Sequence, residues 1–168
     1  YPQANPAVRT GDDFWALDLD GLDGIRAFGQ LAEQYNDLSD GPSVLTGGGG
    51  RHLYFSPDSR IRNGAKIGGH RIDVRGRDGY VMLPPSSHKS GQPYRWERPA
   101  AKYDLEAAPA WLLDLVTGGA NGNGSAGPMA GSLADQPGAG KGGRNDMLCR
   151  LVGSHLREHG ADGKLFDL

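Results

Sequence analysis

Residues 14–20 (FWALDLD) are apolar except for Asp18 and Asp20. A run of this length bounded by turn residues predicts a buried strand, in which side chains at i and i+2 share a face. Behind it, Asp23 is placed to cap a helix, and Ile25, Phe28, Leu31, Ala32 and Tyr35 recur along one helical face. Two short strands are expected at 43–46 and 52–56, separated by the tetraglycine 47–50. In the second, Leu53 and Phe55 face one way and His52 and Tyr54 the other.

Farther along, RIDVR at 71–75, a Gly-Arg-Asp-Gly turn and YVML at 80–83 predict a β-hairpin. With Ile72 and Val74 turned to the core, Asp73 shares the other face with Arg71 and Arg75. A further strand is expected at 94–97, and a short helix at 109–116 with proline in its first turn. The pattern is that of an α/β domain dominated by sheet. Past a gap, Met147, Leu148, Leu151, Val152 and Leu156 mark an amphipathic helix.

Composition explains the gap. Segment 118–143 holds 10 glycines in 26 residues and few apolar side chains, the signature of a flexible linker. The expected organisation is therefore a main domain at 1–117, a linker at 118–143 and the start of a helical unit at 144–168. No run approaches the roughly 18 apolar residues of a membrane span, and no signal peptide is visible, so no membrane partner is expected. The single Cys149 excludes an intrachain disulfide and a cysteine-rich zinc site, which fits a reducing, cytoplasmic setting.

The net charge of −2 conceals a segregation: residues 1–50 carry two basic and eight acidic residues, residues 51–102 eleven basic and four acidic. An acidic front and a basic middle suit a metal site beside a phosphate-binding surface. A plain solvated face accounts equally for Arg60, Arg62, Arg71, Arg75 and Arg77.

Candidate chemistry starts with the aspartate pair. Two carboxylates held side by side repel one another unless a cation lies between, and desolvating them unpaired costs several kcal/mol. Hard oxygen-binding ions, Mg²⁺ or Mn²⁺, suit such a pair and often act on phosphoryl groups. Asp73, an acid inside a β-branched strand, is a third candidate, with a salt bridge to a flanking arginine as the alternative. The glycines before Arg51 and His52, Gly49 and Gly50 among them, let backbone N–H groups approach an anion, although a flexible turn also calls for glycine.

Three lookalikes fail. GAGKGG at 138–143 lacks the first glycine and the Ser or Thr of a Walker A loop, having Asp135 and Gly142 there. HLREH at 155–159 matches a zinc-peptidase pattern but reads better as a polar helix face. DLDG resembles a haloacid-dehalogenase nucleophile motif, yet Leu22 stands where Thr or Ser is expected.

In order, LDLDG, TGGGGRHLYF and IDVRGRDGYVMLPPSSHKSGQPYRWE resemble the primase-polymerase domain of the archaeo-eukaryotic primase superfamily, as found in phage- and plasmid-type replication proteins. The resemblance spans about 1–111 and implies an RRM-like catalytic sheet. It implies that Asp18, Asp20 and Asp73 hold two Mg²⁺ or Mn²⁺ ions, and that His52, Arg51, Gly49 and Gly50 bind the triphosphate of an NTP or dNTP. Ser86 and His88 would line the nucleotide pocket, and the arginines at 60–77 would follow a single-stranded DNA template. A helicase domain in the same or a neighbouring chain is an implied partner. Gly50 departs from the family's Ser two positions before the His, and the family's segment upstream of YPQANPAVRTG is missing, so the chain is expected to begin inside the domain. The implied reaction is template-directed nucleotidyl transfer in DNA replication. The alternatives are a non-catalytic DNA-binding replication module and a metal-dependent phosphatase.

Overall fold

The structure is a computed structural model that describes residues 5–35 and 40–118. The linker beyond Gly118 and the helix expected at 144–168 lie outside the described residues. β2 (Trp15–Leu19) is the spine: it pairs antiparallel with β4 (Arg51–Phe55) on one side and β5 (Ile72–Arg75) on the other. With β3 (Ser43–Leu45) and β7 (Arg95–Arg98) they form a five-stranded sheet in the order β5-β2-β4-β3-β7. The sheet-dominated α/β expectation holds.

β2 is apolar almost throughout because both of its faces are covered. Trp15, Leu17 and Leu19 enter one core with Leu53, Phe55, Ile72 and Val74. Phe14 and Ala16 enter a second core with Val44, Tyr54 and Val81. Trp15 stacks on its cross-strand partner Phe55 at 4.7 Å between ring centroids.

The first core is roofed by α1 (Gly21–Tyr35), through Phe28 and Ala32, and by α2 (Ala110–Thr117), through Leu112. Trp111 stacks on Tyr35 with rings 5.0 Å apart and ties the helices together. α1 begins earlier than the capping reading of Asp23 implied: the Asp20 carbonyl accepts from Gly24 N–H, and Gly21 turns the chain at φ 66°. Asp23 lies instead in the first turn, where its charge favours the helix dipole.

The second core is covered by a two-stranded ribbon of β1 (Ala7–Arg9) and β6 (Tyr80–Met82). This corrects the expected hairpin, since β5 and β6 share a turn but belong to different sheets. Thr10 is the cause: its Oγ1 donates to Gly76 O at 2.6 Å and its N–H to Gly79 O at 2.9 Å, which draws the turn out of the sheet. The vacated edge of β5 is met by Gly64, which exchanges two backbone hydrogen bonds with Val74. Among the described residues no helix is long and apolar enough to cross a membrane.

Candidate active site

The ribbon covers only part of the second face. Where it stops, an open cleft of about 390 Å³ remains, lined by Asp18, His52, Arg75, Tyr80 and Tyr94 among others. Ladder register brings Asp18 and His52 together in it. Asp18 stands opposite His52 of β4 and Asp73 of β5, so the three side chains form one row on one face of the sheet. Residues separated by 34 and by 55 positions from Asp18 are thereby brought together by strand pairing alone.

The row is electrostatically coupled. Arg75 Nη2 lies 3.2 Å from Asp18 Oδ2 and 3.1 Å from Asp73 Oδ2. His52 Nε2 lies 3.5 Å from Asp18 Oδ1, and its Nδ1 is 3.3 Å from the Tyr54 hydroxyl. Burial pushes the Asp18 carboxyl up, but the hydrogen bonds and charges of His52 and Arg75 outweigh it and hold the group below its ordinary value. Burial, with the Asp18 and Tyr94 charges behind it, pushes the Tyr54 phenol well up. Tyr94, half-open to the cleft, is raised by burial and by Asp18. An ionised Asp18 places the imidazole proton on Nε2, so in the neutral ring the Tyr54 O–H donates to Nδ1.

Asp20 sits one row beyond the end of β2, and its carboxylate is turned to Arg71, whose Nη2 is 2.5 Å away. The side-by-side pairing expected of Asp18 and Asp20 is thus replaced by the cross-strand pair Asp18 and Asp73. No cluster of three or more acids, histidines or cysteines poised for a metal forms among the described residues. The donor chemistry nevertheless fits a hard cation, because two carboxylates converge on one position that a guanidinium group already fills.

The glycine loop is a tight link between β3 and β4. Gly50 N–H donates to Thr46 Oγ1 and Gly49 N–H to Thr46 O. A Cβ on Gly50 would lie 2.3 Å from the Leu19 carbonyl oxygen, and Gly49 adopts φ 81°. His88 packs against Gly47 and Gly48, and its ring neighbours Tyr94, which in turn neighbours His52.

Two expected nucleotide contacts are placed elsewhere. Arg51 follows Gly50 but precedes His52, so strand alternation turns it to the helix side, where it pairs with Glu97 at 2.7 Å. Ser86 is buried, and its hydroxyl donates to Pro6 O at 3.0 Å. The arginines do not form one phosphate track either. Arg60 is held by Asp58, Arg71 by Asp20 and Arg75 by Asp18 and Asp73, while Arg62 donates to the Ser59 carbonyl. The guanidinium of Arg77 alone of the five makes no hydrogen bond or ion pair among the described residues. Tyr54 and Tyr94 escaped the sequence reading as site residues. The signal for Tyr54 was its position two residues after His52 on the same strand face.

The family model described as bifunctional DNA primase/polymerase, N-terminal, matches residues 1–111. No curated protein and no solved structure matches the chain.

Proposed function

The chain belongs to the bifunctional DNA primase/polymerase N-terminal family, and from that premise we propose that the cleft carries out metal-dependent nucleotidyl transfer on a DNA template. A function of the DNA primase/polymerase type follows from the family, with DNA and nucleotides as its substrates. The finer reading rests on one observation: strand register sets Asp18, Asp73 and His52 in a single row, of which Asp18 and His52 line the cleft.

In this reading the primer 3′-hydroxyl, or that of an initiating nucleotide, attacks the α-phosphorus of an incoming (d)NTP and pyrophosphate leaves. Asp18 and Asp73, with Asp20 once it turns from Arg71, would hold Mg²⁺ or Mn²⁺. Such ions, when bound, lower the pKa of an attacking hydroxyl and stabilise the charge on a leaving oxygen. The chain's own groups do the rest. With Asp18 engaged by a metal ion, the His52 Nε2–H that faces its carboxylate would be released to a phosphate oxygen, and Tyr54 fixes the ring that carries it. Arg75 and Arg71 become available to phosphates when the carboxylates take another cation. His88, which packs against Gly47 and Gly48 and neighbours Tyr94, would extend the nucleotide site beyond His52.

The test is Mn²⁺-dependent incorporation of labelled dNTP on a primed template, with pyrophosphate as co-product. Asp18→Asn and Asp73→Asn each should cost at least about 100-fold in rate. No incorporation by the wild-type chain defeats the reading, and release of inorganic phosphate alone would point to a phosphatase. A second reading, a non-catalytic DNA-binding module, draws support from the arginine partner that each acid already has. It is favoured if the asparagine variants bind DNA normally and wild type incorporates nothing.

A further inference from the structure

Tyr80 is 68% exposed, more than any other large apolar or aromatic side chain among the described residues. It stands on β6 at the rim of the cleft, and no other ring stacks on it among the described residues. Leaving an aromatic ring in water forfeits the favourable burial that such a ring offers. An isolated exposed aromatic needs no explanation in itself. Here, however, the segment that presents it is held by hydrogen bonds on both sides.

The turn leading into Tyr80 runs through Gly76 and Gly79, closed by Gly79 N–H to Gly76 O at 3.1 Å. Thr10 clamps it on one side, while Asn63 accepts from Gly76 N–H at 3.0 Å and donates to Arg77 O at 3.1 Å on the other. A Cβ on Gly76 would meet the Ile61 carbonyl oxygen at 2.7 Å, and one on Gly79 the Asn63 side chain at 2.4 Å. A turn this constrained holds what projects from it in place, and Arg77 and Tyr80 project outward.

Charge nearest the ring is largely compensated. Asp78, which would repel phosphate, is paired with Arg9 at 2.6 Å, and Arg75 offsets one of the two acids, Asp18 and Asp73, that it contacts. Arg77 is left with its charge unpaired among the described residues, next to the Arg62 backbone with which it forms a bridge. An exposed π-face at the cleft rim and, three residues before it on the same turn, an exposed guanidinium group supply the chemistry that binds single strands, by base stacking and phosphate contact.

We propose that Tyr80 and Arg77 form a stacking rim that grips single-stranded DNA at the mouth of the cleft, Tyr80 under a base and Arg77 on the backbone. The identity of that strand as the template rests on the nucleotidyl-transfer reading; the binding itself does not.

The experiment is fluorescence anisotropy of the full chain with short fluorescein-labelled oligo(dT), without nucleotide or divalent metal, over a range of salt concentrations. Tyr80→Ala should weaken binding roughly tenfold, and Tyr80→Phe should stay within about twofold of wild type because stacking needs only the ring. Arg77→Gln should flatten the slope of log K against log salt by about 0.7, one phosphate contact on a single strand. Thermal melts of each variant confirm folding. Binding by Tyr80→Ala within about twofold of wild type overturns the rim. An unchanged oligo(dT) affinity with a raised KM for dNTP would assign the ring to the nucleotide instead, leaving nucleotidyl transfer intact. Binding that depends on Tyr80 in a protein that incorporates no dNTP would sink the polymerase reading and keep the rim.

Discussion

Asp18 and Asp73 face one another across the β2–β5 ladder, and a single nitrogen of Arg75 lies within 3.2 Å of both carboxylates. Adjacent acids of like charge are destabilising in a sheet unless neutralised. Arg75 is therefore a resident counter-ion, half-buried on the face where a divalent cation would have to bind.

Replacing Arg75 by Gln removes that neutralisation and leaves the shape. The pair is neither a solvated surface bridge nor a fully buried one, so the loss should fall between those limits, about 1–2 kcal/mol. A decrease of roughly 5–10 °C in Tm is expected for a domain of this size. Mn²⁺ should then raise the Tm of Arg75→Gln more than that of wild type, because the ion meets two carboxylates with no competitor. Equal Tm gains in the two proteins would show that the acids and the ion do not share a site.

Asp18 also sets an acid limit on stability. Its folded pKa lies below the unfolded value of 3.8, so its contribution is complete above that value and is lost as pH falls through the folded one. The wild-type urea midpoint should therefore drop between pH 6 and pH 3 by more than that of Asp18→Asn, which cannot titrate. Parallel pH profiles for the two proteins would remove Asp18 from the account.

The site was legible where strand alternation alone decides orientation. Asp18 and Asp73 each lie between two apolar residues and His52 precedes Leu53, so the core-facing residues fix where the polar ones point. The same alternation, applied strictly, turns Arg51 away from His52, and the reading of the two as a joint phosphate contact overlooked it. What one-dimensional reasoning does not reach is competition for partners. The hairpin expected from 71–83 is a sound local pattern, defeated by a threonine some 66 residues upstream that takes the turn carbonyl. Asp20 keeps its place in the i, i+2 pattern, yet its carboxylate is claimed by Arg71 across the ladder. The charge segregation along the chain is real, but much of it cancels where β2 meets β5.

The glycine loop separates two causes for glycine. At Gly50 the backbone angles are ordinary and space is absent: an added methyl group meets the Leu19 carbonyl oxygen and the Gly21 nitrogen, both backbone. Gly49 has open space but a positive φ. Gly50→Ala should cost about 2–3 kcal/mol through overpacking and Gly49→Ala about 1 kcal/mol through backbone strain. Urea denaturation of the two variants checks the order. A larger loss at Gly49 would mean that the β3–β4 link yields more easily than the close approach of Gly50 to β2 implies.

Tyr54 links the cleft floor to the second core, and its hydroxyl is the atom that makes it more than a core aromatic. The group is buried and reaches His52 Nδ1 at 3.3 Å, so Tyr54→Phe keeps the ring against Phe14 and Trp96 while removing only the hydrogen-bond partner. A loss of about 1 kcal/mol is expected, the usual net worth of one hydrogen bond. Alkaline pH supplies an independent sign. Burial, Asp18 and Tyr94 raise the folded pKa well above the unfolded 10.0, so the wild type holds a proton that its unfolded chain releases. Its stability should therefore fall as pH rises above 10, and Tyr54→Phe should fall less steeply. In NMR spectra the His52 ring nitrogens should shift towards a mixture of tautomers once Nδ1 loses its donor. Unchanged nitrogen shifts in Tyr54→Phe would mean that Asp18 alone orients the imidazole, and that the hydroxyl serves packing rather than the site.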